Sequence, residues 1–372
     1  MYSVAYRANG KQVRETIGPN KRMAESILAQ RVAEIVVGDY VEIAAISFDE
    51  FAEKWLNEHA KPRLKGRTYE VYLNMINKHL RPAFAGCSVS KIKPARIRSY
   101  LCGLSSSKSP KTLNNLLVLM KTMFNHAQKW GYLKNNPAAD VEKFKQEHME
   151  MDFLNPSEVN LLLKHAQEPY RTLIMTAILT GMRRAEILAL TWGDIDWNSN
   201  SIFVRRSLYW VNKATDDVKW KFVSPKSRAS KRVITMSPAL KKALEIHKIV
   251  SPINEHDLVF ANRKGNPVSP DHMVKRYFHT ALRLAGLRQI RFHDLRHSYC
   301  SLLISQGENV KFIQSQLGHS SITTTLDRYG HLLPVDHVGV GTRLDSQIFQ
   351  EFAKPAKTSY EIERITGNTP SL

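Results

Sequence analysis

At 372 residues the chain is long enough for two or three domains, and a hydrophobic share of 43% excludes an intrinsically disordered protein. Its 54 lysines and arginines against 34 acidic residues, a formal charge of +20, point to a polyanion such as nucleic acid as partner, the bland alternative being a merely soluble basic protein. Cys87, Cys102 and Cys300 have no paired metal spacing, MYSVAYRANGKQ has no apolar signal core, and no apolar run could span a bilayer, so a soluble cytoplasmic protein without disulfides or membrane contact is expected.

The chain opens on a hairpin. Tyr2, Val4 and Tyr6 alternate with Ser3, Ala5 and Arg7, and Asn9-Gly10 supplies the positive-φ pair of a type I′ turn. A helix over about 21–36 follows, its core face formed by Ala24, Ile27, Leu28, Val32 and Ile35. Arg7, Lys11 and Arg14 make residues 1–45 a small basic module, and they are its candidate DNA contacts. Residues 46–146 read as all-α: FDEFAEKWLNEHA, YEVYLNMINKHL, PARIRSYLCGL and KTLNNLLVLMKTMFNHAQKWGYL carry apolar residues at helical spacing. Between the first two, KPRLKGR (61–67) reads as a basic loop, with Lys61, Arg63, Lys65 and Arg67 as candidate DNA contacts. KFKQEHMEMDFLN (143–155) is charged and aperiodic, as expected of a linker.

Asn155-Pro156-Ser157-Glu158 then has the form of a helix start, cap followed by proline and a nearby acid. Residues 152–345 read as one mostly helical domain with a central β-region built from SIFVRRSLYW, KWKFV and KRVITM. Ser237-Pro238 and Ser269-Pro270 open further helices near 238–248 and 270–285, the second closed by Gly286. A tail, 346–372, carries Ile348, Phe349 and Phe352, which could pack on its own domain or on a neighbouring protomer. The expected fold is multidomain and mainly α with small β-regions.

Four stretches of the large domain share a chemical theme. TGMRRAEILALTWGDID (180–196) places Arg183 at the start of an amphipathic helix with Ile187, Leu188 and Leu190 as its stripe, and SPKSRASKR (224–232) is a basic turn between strands. HDLRH (293–297) holds His293 and Arg296, and LGHSSITTTLDRYGHL (317–332) carries His319 and Tyr329. His293 and His297 could share a helix face and a zinc ion, but Arg296 within that face repels a cation and no glutamate follows His293. His297 reads instead as a histidine satisfied by core hydrogen bonds. A guanidinium in a segment as apolar as LRHSYCSLLI needs a partner, and a phosphate would be one. Such a set suits transesterification at a phosphodiester: guanidinium forks match the non-bridging oxygens, histidine donates or moves a proton, and tyrosine is a competent, reversible nucleophile.

In these motifs the chain resembles the tyrosine recombinases, specifically phage-type integrases with an N-terminal arm-binding domain. The resemblance implies Arg183, His293, Arg296 and His319 as phosphate ligands and Tyr329 as nucleophile. The catalytic lysine would lie in the β-hairpin turn, Lys226 by the better match, with Lys231 in the same turn. Glu186 matches a supporting acid of the family and reads equally as a helix surface charge. Residues 46–146 are similar to the helical, SAM-like core-binding domain, and 1–45 to the arm-binding module. That module usually has a further short basic strand ahead of residue 2, for which Met1 leaves no room, so it is expected to be incomplete or to start upstream. The family further implies double-stranded DNA attachment sites, a homotetramer on DNA, and host or element-encoded directionality factors as partners, in a bacterial cytoplasm. No cofactor, metal or ATP is implied, and no Walker loop is present. The rival readings are a type IB topoisomerase and a non-catalytic DNA-binding protein on the same fold.

Overall fold

The computed structural model describes residues 1–8, 10–38, 43–146, 152–211, 220–224, 230–333 and 340–348. The chain divides into two compact units, residues 1–149 and 150–372.

In the first unit β1 (Tyr2–Ala8) and β2 (Lys11–Gly18) pair antiparallel, with Tyr6 opposite Val13 and Ala8 opposite Lys11. The turn is therefore two residues long, with Gly10 at φ 76°, while Asn9 lies outside the described residues. Alternation buries Val4, Tyr6 and Ala8 against α1 (Lys21–Val37), which contributes Ala24, Ile27, Leu28 and Ile35. Asn20 caps α1 by accepting from Met23 N, and Gly38 closes it in the left-handed region. Val32, expected on the core face, is exposed. It lies about 80° round the helix from Ala24, and a two-stranded ribbon covers too narrow a stripe to reach it.

Four helices follow: α2 (residues 48–63), α3 (66–84), α4 (Pro94–Gly103) and α5 (Pro110–Lys129). Ser47 and Glu50 form a reciprocal cap at the start of α2. The core is aromatic and aliphatic, built on Phe48, Phe51, Trp55, Ile76, Leu80, Leu116 and Phe124. The expected loop at 61–67 is shorter in the structure, because Lys61–Arg63 forms the last turn of α2 and Gly66 already begins α3. A proline would ordinarily collide with the carbonyl four residues back. Here Lys61 N reaches Leu56 O, a widened turn that lets the helix run through Pro62, and Arg81 N reaches Ile76 O ahead of Pro82 in the same way. Lys61, Arg63, Lys65 and Arg67 are exposed, as are Arg7, Lys11 and Arg14.

The second unit begins with Leu154, whose amide donates to Ser298 Oγ, and with α6 (Pro156–His165), capped reciprocally by Asn155 and Glu158. Then come α7 (Tyr170–Thr180) and α8 (Arg184–Ile187). The β-region is two sheets rather than one: β3 (Ile195–Asp196), β4 (Ser201–Val204) and β7 (Arg232–Thr235) in the order β3-β4-β7, and a separate ribbon of β5 (Ser207–Trp210) and β6 (Trp220–Val223). The break falls at Arg205 and Arg206, which both reach the buried carboxylate of Asp194 (3.4 and 3.3 Å) and take the chain out of the first sheet. Next are α9 (Pro238–Val250), capped by Ser237, and α10 (residues 270–284), where Ser269 holds the cap position without a side-chain capping bond. The last helices are α11 (Asp294–Ser305), α12 (Val310–Leu317), α13 (Ile322–Tyr329) and α14 (Val340–Ile348). The core runs from Leu154 through Ile178, Ile187, Ile234 and Phe278 to Leu295. Ile348 is exposed on α14, whereas Phe349 and Phe352 lie outside the described residues. Among the described residues no helix is long and apolar enough to cross a membrane.

Candidate active site

The site is assembled at helix ends. Gly181 terminates α7 at φ 59°, and a Cβ there would lie 2.4 Å from the Tyr299 ring, so both backbone and space call for glycine. The chain then turns into Arg183, which occupies the cap position of α8. Arg183 therefore does not start an amphipathic helix. The helical stretch is a single turn, Arg184–Ile187, and Leu188 and Leu190 are buried beyond it in the core.

Glu186 is 2% exposed, which removes the surface-charge reading. Its carboxylate accepts from Arg183 Nη1 at 2.7 Å, from the Arg183 amide at 2.9 Å, and from Arg232 Nη1 and Nη2 at 3.2 and 2.9 Å. Burial by itself would raise the pKa of this acid; the charge and hydrogen bonds of Arg232, then of Arg183, outweigh it and the net direction is down. Arg232 also donates through Nε to Gln316 O, tying β7 to the end of α12. Sequence reasoning placed Arg232 where a basic turn meets the strand segment KRVITM and gave it no role in the site. A signal was present: Arg232 shares strand parity with the buried Ile234, so it faces inward.

Arg296 is buried on α11, and its partners are main-chain carbonyls: Nη1 donates to Gly181 O (2.7 Å) and Nη2 to Leu317 O (2.5 Å). Carbonyls at helix C-termini carry partial negative charge, so they offset part of the burial cost that was expected to fall on a phosphate. Arg183 Nη2 reaches the next carbonyl, Gly318 O, at 3.4 Å. Two guanidinium groups thus share consecutive carbonyls at the end of α12. Burial, and then repulsion from Arg183 and Arg232, push the Arg296 pKa down to about 9, still charged at neutral pH.

His319 follows Gly318 and bonds through Nδ1 with Thr325 Oγ1 (2.9 Å). Burial and then Arg296 and Arg183 lower its pKa to about 3, so the imidazole is neutral at neutral pH. His293 sits at the start of α11 with solvent access, its pKa lowered by partial burial and by Arg296. Tyr329, the last residue of α13, is 2% exposed; burial, with a smaller effect of Cys300, raises its phenol pKa, while Arg296 and Arg328 oppose that rise. His297 is a buried, hydrogen-bonded histidine as expected, but its partner is Tyr329: Nδ1 lies 2.5 Å from the phenol oxygen. The structure therefore gathers Arg183, His293, Arg296, His319 and Tyr329 around the ends of α7, α12 and α13 and the start of α11. Lys226 lies outside the described residues, and Lys231 is exposed beside β7. Among the described residues no group of three or more His, Cys, Asp or Glu side chains is placed to share a metal ion.

Residues 152–334 match the Phage integrase family, and residues 47–105 match the N-terminal SAM-like domain of phage integrases. The ICEBs1 integrase of Bacillus subtilis (strain 168) is 32% identical over 295 residues, spanning 76% of this chain and 78% of that protein. The chain is a tyrosine recombinase. This recombinase is also 28% identical over 355 residues to a XerC-like tyrosine recombinase of Caldanaerobacter subterraneus subsp. tengcongensis, covering 88% of this chain and 90% of the relative. Among solved structures, the Tn1549 transposon integrase in complex with circular intermediate DNA overlays with a TM-score of 0.64 at 19% identity, covering 82% of the recombinase and all of that chain. The lambda integrase tetramer bound to a Holliday junction gives 0.58 at 20% identity, covering 86% and 93%. At these identities the two structures establish a shared fold. The protein is thus a site-specific DNA recombinase, and neither the topoisomerase nor the non-catalytic reading finds support in these relatives.

Proposed function

We propose that this recombinase integrates and excises a phage or other mobile element, with Arg183, His293, Arg296 and His319 gripping the scissile phosphate and Tyr329 attacking it. The observation that carries this reading is the pair of guanidinium groups held on the consecutive carbonyls of Leu317 and Gly318, a concentration of positive charge that an anion would relieve. Attack forms a 3′-phosphotyrosine and frees a 5′-hydroxyl, with the Lys226 ammonium, or that of Lys231, protonating the leaving oxygen. The 5′-hydroxyl of a partner strand then displaces the tyrosine. Bond energy is kept in the ester, so the cycle consumes no nucleotide. Arg7, Lys11, Arg14, Lys61, Arg63, Lys65 and Arg67 are exposed cations suited to the DNA backbone, in an arm-binding module at 1–45 and a core-binding domain at 46–146 that precede a catalytic domain at 152–345. Strand exchange between two attachment sites would take four copies on DNA, in the bacterial cytoplasm, with directionality factors choosing integration or excision.

The test is to express the protein in cells carrying its parent element, trap covalent protein–DNA adducts by rapid denaturation, and sequence the joined DNA. A single recurrent site and a phosphotyrosine at Tyr329 are expected, both lost in Tyr329→Phe while DNA binding survives. An adduct persisting in that variant refutes the assignment.

A further inference from the structure

The last turn of an α-helix leaves carbonyls that no amide of the helix can reach. At the end of α12 the Gln314 carbonyl accepts from the amides of Gly318 (2.9 Å) and His319 (3.2 Å), and the Ser315 carbonyl accepts from Gly318 (3.1 Å). The next three carbonyls go to arginines from β7, α11 and the cap of α8. Gln316 O takes Arg232 Nε at 2.5 Å, Leu317 O takes Arg296 Nη2 at 2.5 Å, and Gly318 O takes Arg183 Nη2 at 3.4 Å. A displacement of the end of α12 would carry all three seats with it.

The side chain of Gln316 fastens that end to the sheet. It is 6% exposed, and its amide lies along β7, the outermost strand in the order β3-β4-β7. Oε1 accepts from the Thr235 amide and Nε2 donates to the Val233 carbonyl, each at 3.3 Å. Residues two apart on a strand present their amides and carbonyls to the same side, the pair that a further strand would take. A side-chain amide supplies both partners from one plane, whereas a carboxylate only accepts and an ammonium only donates.

We propose that Gln316 is a positioning residue of the recombinase: by completing the edge of β7 it fixes the three carbonyls on which Arg232, Arg296 and Arg183 are seated. The inference rests on the reading of Arg296 and Arg183 as phosphate ligands. Gln316 acts through these groups and adds none of its own to the chemistry. It holds β7 twice, with its carbonyl at Arg232 and with its side chain at residues 233 and 235. The basic turn at 224–232 runs directly into that strand, so one residue sets the arginines and the exit of the lysine-bearing turn in a common frame.

Gln316→Met keeps the length of the side chain and removes both of its bonds to β7. Cleavage is followed in single turnover on a nicked duplex built from the sequence found joined to the protein, and affinity for the same duplex by fluorescence anisotropy. The variant should bind within about twofold of the wild type and cleave roughly 10–100-fold more slowly, the scale of a misplacement near 1 Å. Added to Arg296→Lys, it should slow cleavage by less than about threefold more, because the seat it disturbs is already lost. Losses that multiply in full mark a general effect on stability and overturn the proposal. So does an undiminished rate, or a loss of affinity equal to the loss of rate. Hydrogen exchange of the wild type, read amide by amide, needs no variant: the Thr235 amide should be protected, and exchange at the rate of an open strand edge refutes the contact. Arg296→Lys alone keeps the two readings apart. Undiminished cleavage there removes the role given to the arginines, whereas a slow Arg296→Lys beside a fully active Gln316→Met removes only the positioning role.

Discussion

Glu186→Gln probes the ion cluster that supports Arg183. The wild-type carboxylate takes both terminal nitrogens of Arg232, a side chain only 5% exposed, as well as one from Arg183. Glutamine keeps one acceptor oxygen and turns an amide NH₂ toward guanidinium groups. Leaving a buried charge without its partner costs about 3–5 kcal/mol. The Arg183 contact is partly solvent-screened and is counted at nothing, so about 3 kcal/mol is expected. For a unit of this size that corresponds to a melting temperature lower by about 6–12 °C. Calorimetry of the wild type, Glu186→Gln, Arg232→Met and the double variant completes a cycle, in which the double variant should be less destabilised than the sum of the singles by more than about 1 kcal/mol. The pH dependence has a definite sign. The folded-state pKa of Glu186 is depressed, so its stabilisation is present above the unfolded value, roughly 4.3, and is lost as pH falls through the lower folded value. The gap between wild type and Glu186→Gln should therefore close on acidification. Melting within a degree of the wild type, or strict additivity in the cycle, would refute the reasoning.

Gly181→Ala should destabilise the second unit by about 1–3 kcal/mol, read as a lowered melting temperature, because the new methyl meets the Tyr299 ring at a positive φ; an unchanged melt would contradict it. Arg296→Lys cannot hold Gly181 O and Leu317 O together, and cleavage of the mapped site should fall at least about a hundredfold while DNA retention persists. Affinity for that site, measured by fluorescence anisotropy, should drop about a thousandfold or more between low and physiological salt as phosphate contacts release counterions, and a flat response would undercut the charge argument.

Much of the candidate site was legible from short motifs because the residues proposed for its chemistry are local in sequence. Arg183, His293, Arg296, His319 and Tyr329 stand out as residue types at odds with their apolar or helical surroundings. Asn155 and Ser237 announce helix starts through side chains that satisfy amides three positions on. Less legible was the end of α2, where a proline reads as a break and the structure absorbs it in a widened turn.

By itself the amino-acid sequence determined the charge, the helical periodicity, the order of the motifs and thereby the family and its chemistry. Tertiary structure alone decided which groups meet. Glu186 finds Arg232 from β7, Arg296 finds the carbonyls that end α7 and α12, and His297 finds Tyr329 from another helix. Periodicity reports that a face is covered, not what covers it, and a buried polar group must take its partner from whichever element packs against it.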